Sequence, residues 1–436
     1  MSNKSGARGG QRVELRLDGI AHGGEALGRD RDRVVFVPYA LPGERVRFEL
    51  LEEKPRWARA RLLEVLDPSP DRVEPPCQFF GPEKCSGCQW QHIAYERQAS
   101  LKQEILADHL RRLGHIADPP MADILALAGP ADPDRPAAEM DVLAFRYRNQ
   151  TRFAVAADGR LGFPSKALAR DVIPIDRCLL LHERLDELHG ALDLLWPSLT
   201  GVILRAGIAT GQTLVVFETA SEEHPELEID LPAACAVQTP RGVQPLVGEP
   251  WLEEQVAGHL YRISAESFFQ ANTIGAEALV EVVASYLEPR ANDCLIDAYC
   301  GVGLFSLALA DSVGQVIGIE SSPSACEDFA HNADAADNVS LHEGAVEDVL
   351  TTLRDQGQPV DLVLLDPPRA GAGAEVLSHL AAMNPRRIVY VSSDPAALAR
   401  DAVHLTAEGY RLAEVQPLDM APQTAQVDSV ALWARR

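Results

Sequence analysis

Between residues 11 and 68, apolar and polar side chains alternate in short runs broken by turn chemistry. Residues 13–20 (VELRLDGI), 33–39 (RVVFVPY), 45–51 (RVRFELL) and 58–66 (ARARLLEVL) follow the period of two expected of half-buried strands. Ala21-His22-Gly23-Gly24 and Leu41-Pro42-Gly43-Glu44 supply the turns. Strands of this length and spacing, seeded with arginine, predict an OB-like β-barrel over residues 1–72, of the kind that binds single-stranded nucleic acid. A structural barrel with solvated charges is the competing reading. The period changes to 3.6 over residues 95–114, an amphipathic helix stopped by Gly114. Residues 115–142 are rich in Pro, Ala and Asp and read as a linker or variable loop. Residues 145–178 read as strands joined at Asp158-Gly159, and residues 210–220 (TGQTLVVFETA) continue a β-rich middle region. Arg146, Tyr147, Arg148 and Arg152 interleave basic and aromatic groups, which suits RNA contact and equally suits a polar strand face.

From about Tyr261 the pattern becomes βαβ. Residues 292–310 (NDCLIDAYCGVGLFSLALA) read as a buried strand, a glycine turn and a helix. QVIGIE is the next strand and ends in Glu320; a helix (322–338) and a short strand (338–344) follow. VDLVLLD (360–366) and RIVYVSS (387–393) are two further buried strands with a helix between them, delivering Asp366-Pro367-Pro368-Arg369 and Ser392-Ser393-Asp394-Pro395 at their carboxyl ends. Ligands of open α/β sheets bind outside those ends, so both motifs should face one crevice. The turn Asp297-Ala298-Tyr299-Cys300-Gly301-Val302-Gly303 has no third glycine where pyrophosphate binding wants one. A methyl donor without pyrophosphate fits it better, with the glycines admitting its amino-acid portion and Glu320 accepting both ribose hydroxyls.

Composition narrows the setting. The chain has 436 residues, 46% hydrophobic and 24% charged, which suits about three soluble domains. It offers no uninterrupted apolar run of membrane-spanning length and no secretory leader, so a cytoplasmic protein is expected. Net charge is −24, and residues 1–72 carry 14 basic and 12 acidic groups, so the acidity lies almost wholly beyond them. Such acidity is a poor match to the usual footprint of nucleic-acid binding, although a local arginine-lined cleft can dominate in an acidic protein.

Eight cysteines in a cytosolic chain point to metal or catalysis before disulfides. Cys77, Cys85 and Cys88 lie within a dozen residues, among Gly and Pro, like a loop wrapped around a metal or cluster. Closed zinc sites and iron–sulfur clusters both take four ligands, and Cys178 is the best candidate for the fourth. The spacing differs from paired C-x2-C knuckles, which favours a [4Fe–4S] cluster. Cys235, Cys294 and Cys326 sit in apolar settings and read as core residues.

These motifs, in this order, make the chain resemble the iron–sulfur type of RNA uracil-5-methyltransferase over nearly its whole length. The resemblance rests on the N-terminal barrel (a TRAM domain), CSGCQWQH, ESFFQAN at 266–272, DAYCGVG, LLDPPRAGA, YVSSDPAALARD and the closing VDSVALWARR. It implies a TRAM barrel over 1–72, a cluster-bearing middle domain over 73–94 and 115–258, and a Rossmann-like methyltransferase domain over 95–114 and 259–436. It implies S-adenosylmethionine contacts from Gln270, Tyr299, Gly301, Gly303, Glu320 and Asp366, and cluster ligation by Cys77, Cys85, Cys88 and Cys178. RNA is the implied partner, rRNA ahead of tRNA, and a monomer is expected.

The family mechanism adds a cysteine thiolate to carbon 6 of uracil, methylates carbon 5, and removes the carbon-5 proton with a glutamate. Ser393 stands in the cysteine's place here and Asp428 in the glutamate's. A serine hydroxyl needs an adjacent base, and no histidine lies near Ser393 in sequence. Cys300 sits in the cofactor turn and reads as structural. The catalytic set read from the sequence is therefore Ser393, Asp428 and Asp366. Three functions remain open: an RNA methyltransferase, acting on uracil by an altered route or on another acceptor; a catalytically silent RNA-binding or RNA-folding protein; and a metal-cluster redox or interaction module.

Overall fold

The computed structural model describes residues 11–127, 144–165, 171–194, 196–222, 230 and 232–435. Strands β1 (Arg12–Arg16), β2 (Gly19–Ile20), β3 (Ala26–Asp30), β4 (Arg33–Val37), β5 (Arg45–Glu53) and β6 (Trp57–Asp67) form one sheet in the order β1-β5-β6-β4-β3-β2. Its inward positions, among them Val35, Val46, Phe48 and Leu50, form a small core, as the alternation in the sequence requires. The outward arginines are matched across strands: Arg47 bonds Glu14 at 2.7 Å and Arg45 bonds Asp67 at 3.1 Å. Much of the arginine signal that favoured a nucleic-acid face is thus neutralised within the sheet.

The middle region contributes β7 (Gln150–Val155), β8 (Leu161–Pro164), β9 (Val172–Pro174), α2 (Glu183–Ala191), β10 (Leu199–Ala206), β11 (Thr213–Thr219), β12 (Ala234–Thr239) and β13 (Gly242–Val247), after α1 (Tyr95–Arg112). These strands make a second sheet, ordered β13-β12-β11-β10-β7-β8-β9. Leu185 and Leu188 of α2 cover Phe153, Val202 and Phe217. A hairpin, β14 (Trp251–Val256) and β15 (His259–Ser264), crosses the expected domain boundary at 258/259, and its apolar side chains join the core of the C-terminal domain.

That domain continues with α3 (Thr273–Leu287), β16 (Cys294–Ala298), α4 (Leu304–Ala310), β17 (Gln315–Glu320), α5 (Pro323–Asn332), β18 (Val339–Glu343) and α6 (Val346–Asp355). β19 (Leu362–Leu365), α7 (Gly373–Ala382), β20 (Arg387–Ser392), α8 (Pro395–Ala407), β21 (Tyr410–Leu418) and β22 (Asp428–Arg435) complete it. The sheet order is β18-β17-β16-β19-β20-β22-β21, parallel from β18 to β20 and antiparallel over the last two pairs. The winding reverses between β16 and β19, which opens the ligand crevice at their carboxyl ends. Both strands are buried throughout, and helices cover both faces.

Leu101, Ile105, Leu106 and Leu110 of α1 are buried in this C-terminal core, so the helix packs far from its sequence neighbours. Gly114 ends it in a tight corner, where a Cβ would lie 2.7 Å from the Leu110 carbonyl and 3.3 Å from that of Ala399. Residues 119–127 are more than a linker: Met121 and Leu125 bridge to Val415 and Leu418 beside β21. The rest of the expected linker, 128–142, lies outside the described residues. No helix, among the described residues, is long and apolar enough to cross a membrane.

Candidate active site at the strand ends

The turn from β16 into α4 is built from left-handed backbone: Tyr299 has φ 65°, Gly301 55° and Gly303 95°. A side chain at Gly303 would be strained and would meet Phe329 at 3.1 Å; one at Gly318 would meet Phe329 at 2.8 Å. Glu320 ends β17 and ties the turn down. Its Oε2 accepts the Gly301 N–H at 3.0 Å, and its Oε1 accepts those of Ser321 and Ser322 at 2.7 and 2.8 Å. A carboxylate has about four acceptor directions, so little capacity remains after these three bonds. Gln270 is half-buried just before α3, its backbone carbonyl accepting Asn149 Nδ2 at 3.0 Å. Behind the turn, Asp297 is fully buried. Ser306 Oγ donates to its Oδ2 at 2.6 Å, and its Oδ1 has no partner in the structure.

Two more carboxyls meet this one. Asp366 lies just past β19 and Asp428 opens β22. Burial pushes the Asp366 carboxyl up to about 7, with the neighbouring charges of Asp297 and Asp428 adding to the effect. Burial likewise lifts Asp297 to about 7 and Asp428 to about 6. Gln426 offsets the last in part, donating from Nε2 to both Asp428 oxygens at 3.0 and 3.2 Å, while its Oε1 accepts from Arg369 at 3.4 Å. Lys102 and Arg369 also lower Asp428, so the buried Asp297 and the half-buried Asp366 are the pair that gains most from an added cation.

A carboxyl raised on folding binds its proton more tightly in the native state, so its stabilising contribution is complete below about pH 4 and is lost as pH rises through about 7. Asp366→Asn is therefore expected to raise the ligand-free protein's stability by roughly 1–2 kcal/mol near pH 5 and by roughly 3–5 kcal/mol near pH 8. Parallel thermal melts of the two proteins at the two pH values measure this, and a pH-independent difference would contradict it.

Ser393 is half-buried one residue beyond β20. The groups around it are engaged elsewhere. Ser392 Oγ bonds the Asp394 backbone at 3.0 and 3.2 Å, and the Asp394 carboxylate caps α8 by accepting the Ala397 N–H at 2.7 Å. Cys300 is buried, its thiol held well above the ordinary value by burial and by Asp297 and Glu320. That environment suits a core residue.

Cys77, Cys85, Cys88 and Cys178 line one cavity, together with Arg148 and Phe163. All four are free thiols. Gly87 N–H donates to Cys85 Sγ at 3.3 Å and Gln91 Nε2 to Cys88 Sγ at 3.1 Å. Burial pushes Cys85 up to about 11 and Cys88 to about 12. Among the described residues, no three His, Cys, Asp or Glu side chains are placed to hold a metal ion between them. The basic–aromatic run is largely engaged within the protein. Arg146 pairs with Asp186 at 3.0 Å, Tyr147 donates to the Pro422 carbonyl at 3.2 Å, Arg148 lines the cysteine cavity, and Arg152 bonds Glu218 at 2.7 Å.

Residues 251–436 match the family described as tRNA (Uracil-5-)-methyltransferase, and residues 7–63 match the TRAM domain. An uncharacterized RNA methyltransferase of Streptomyces coelicolor is 39% identical, over 97% of this chain and 93% of that protein. One of Streptomyces avermitilis is 37% identical over 97% and 98%. The chain belongs to the RNA (uracil-5-)-methyltransferase family. Among solved structures, the Pyrococcus abyssi tRNA (uracil-54, C5)-methyltransferase in complex with S-adenosyl-L-homocysteine has the same fold, with a TM-score of 0.74, 24% identity, and coverage of 97% of this chain and 100% of that one.

The fold of this uracil-5-methyltransferase family member brings Gln270, Tyr299, Gly301, Gly303, Glu320, Asp366, Ser393 and Asp428 to the C-terminal domain, most of them at the strand ends. It adds two residues that sequence reasoning did not single out. Asp297 was read only as the acid ahead of the glycines, and its unpartnered oxygen becomes visible with the core packed around it. Gln426, two residues before Asp428, is the hydrogen-bonding link from that carboxylate to Arg369.

Proposed function

We propose that this family member transfers a methyl group from S-adenosylmethionine to RNA without the family's cysteine nucleophile, whose place Ser393 takes. The observation that carries the reading is Asp366 at the strand ends, lifted by desolvation and by the neighbouring charges of Asp297 and Asp428, a place that favours an added cation. S-adenosylmethionine supplies a methyl group on a sulfonium, the kind of cation such a site favours. Gln270, Tyr299 and the Gly301/Gly303 turn would hold its amino-acid portion, and Glu320, with one acceptor direction left after its three backbone bonds, would take a single ribose hydroxyl. Asp366 and Asp428, with affinities for protons near neutrality, are suited to receive the proton that the acceptor loses. The TRAM match and the family's RNA methyltransferases support RNA as substrate.

Calorimetry tests the cofactor half: the protein is expected to bind S-adenosylmethionine, and Asp366→Ala to weaken binding at least about tenfold. No binding at millimolar concentration would end the reading. Nucleoside mass spectrometry of rRNA and tRNA from cells with and without the gene names the acceptor. A second reading, an RNA-binding member without turnover, is favoured by Ser393, whose neighbouring carboxylate is committed to a helix cap. Unchanged nucleosides together with intact RNA binding would select it.

We also infer a [4Fe–4S] cluster at Cys77, Cys85, Cys88 and Cys178. Four thiols from two distant segments line one cavity, and N–H donors at Cys85 and Cys88 would stabilise thiolate sulfur. A cluster spreads its ligands over four irons, which agrees with thiols that surround a cavity without closing on a single ion. Anaerobically purified protein is expected to contain about four iron and four sulfide per chain. Iron-free protein with zinc, or with neither, would refute the inference.

A further inference from the structure

We propose that His22, carried by the N-terminal barrel, is a substrate-contacting residue of the transfer crevice, meeting the RNA nucleotide that enters beside Ser393 and Arg369. The inference rests on RNA being the substrate. The loop that bears it is fixed to the catalytic domain. Gly24, with φ +87°, sits so close that a Cβ would lie 2.6 Å from both Ala425 and the Trp90 indole nitrogen. Trp90 Nε1 donates to the Gly24 carbonyl at 3.1 Å. Two residues earlier in the loop, the exposed His22 ring packs edge-on against His109 of α1, with centroids 5.4 Å apart. The Nδ1 of His109 is itself held at 2.8 Å by the Ile105 carbonyl.

Ala425, against which the loop packs, leads directly into Gln426, which accepts from Arg369; Arg369 and Asp394 both act on the His22 charge. Asp394 adjoins Ser393, and Arg369 continues through Gln426 to Asp428. The barrel thereby places an imidazole at the rim shared by both halves of the expected catalytic set, where sequence alone had found no histidine. Partial desolvation against the loop and His109 keeps that otherwise solvent-reachable imidazole below its ordinary value; Asp394 raises it, whereas His109 and Arg369 lower it further. Near pH 7 it is therefore neutral, with one nitrogen to donate and one to accept, which suits a nucleobase edge. In acid it gains a charge that attracts the phosphate backbone.

The test is fluorescence anisotropy of the full chain with a fluorescein-labelled, uridine-containing RNA stem-loop, at about pH 7.5 and about pH 5.5. His22→Ala is expected to weaken binding about five- to tenfold at the higher pH and to tighten less on acidification than the natural protein, protonation of Asp366 and Asp428 supplying the remainder. His22→Gln should recover most of the affinity at the higher pH with the same reduced tightening in acid, which a purely structural role would not produce. Gly24→Ala, which lifts the loop off Trp90 and Ala425, should reproduce the His22→Ala loss. S-adenosylmethionine binding by calorimetry should stay within about twofold in His22→Ala. RNA affinities of His22→Ala within about twofold of the natural protein at both pH values would overturn the proposal. Failure of the natural protein to bind any RNA would overturn the RNA reading itself, and the proposal with it.

Discussion

Lys102→Ala is expected to cost about 3–5 kcal/mol and to release the segment that leads into Asp428. Lys102 and Asp419 are both fully buried, with Nζ 2.5 Å from Oδ1. The same ammonium donates to the Ala421 carbonyl at 2.9 Å and lies 5.9 Å from the Trp90 ring centre. The other Asp419 oxygen is buried without a partner, so removal of Lys102 leaves a carboxylate with neither water nor counter-charge. Such a pair is expensive to break and of small net benefit when intact, because desolvation offsets most of its attraction. Lys102→Met combined with Asp419→Leu should therefore be much less destabilising than Lys102→Ala alone. Urea unfolding followed by tryptophan emission compares the three proteins. A double variant as unstable as the single one would show that the pair itself, rather than the orphaned charge, holds the segment.

The same pair marks where sequence reading ends. The partners are 317 residues apart, and no periodicity joins them. Periodicity did carry the elements whose environment is uniform. The LVLL run of β19 is buried on both faces and reads as nothing but an interior strand, and α1 announces its apolar stripe through Leu101, Ile105, Leu106 and Leu110. Where burial is partial the signal fades. The short helix α2 (ERLDELHGA) buries only Leu185, Leu188 and His189, too few for its period to stand out. Residues 119–127 bond along β21 through backbone groups, which their Pro-, Ala- and Asp-rich composition does not reveal.

Site chemistry shows the same division. The positions of Glu320 and Asp366 at strand ends followed from the buried strands before them, whereas Asp428 was singled out only through the family resemblance. The pairing of Arg146 with Asp186 and of Arg152 with Glu218 was not legible, and those ion pairs convert an apparent RNA-facing stripe into internal and surface bracing. Strand alternation says which face a side chain takes, never what it meets there. His22 is the strongest case: it lies more than 340 residues from Ser393 in sequence, and a loop of another domain brings it to the same rim.

Ser393→Cys is expected to form a denaturant-stable adduct with 5-fluorouridine RNA in the presence of S-adenosylmethionine, whereas the natural protein forms none. The bonds that fix this corner run from Ser392 Oγ to the Asp394 backbone and from the Asp394 carboxylate to Ala397, so the side chain of residue 393 can change without disturbing them. A thiol there lies just ahead of the N-terminus of the 13-residue helix α8, whose dipole favours thiolate. Even unassisted cysteine is a few per cent thiolate at neutral pH, whereas a serine hydroxyl without a base is not usefully ionised. Thiolate addition to carbon 6 places the electron pair on carbon 5, which takes the methyl group. Fluorine at carbon 5 then leaves no proton to remove, and the enzyme–RNA bond persists on a denaturing gel. With unmodified RNA the last step falls to Asp428, one methylene shorter than the family's glutamate. A misplacement of about 1 Å can cost on the order of 100-fold, so Ser393→Cys alone should give adduct but slow turnover, and addition of Asp428→Glu should raise the rate of 5-methyluridine formation by at least about tenfold. Absence of an adduct from Ser393→Cys, with RNA and cofactor both bound, would mean that the crevice does not seat carbon 6 of a uracil against residue 393. The acceptor would then have to be a group already nucleophilic enough to take the methyl without help.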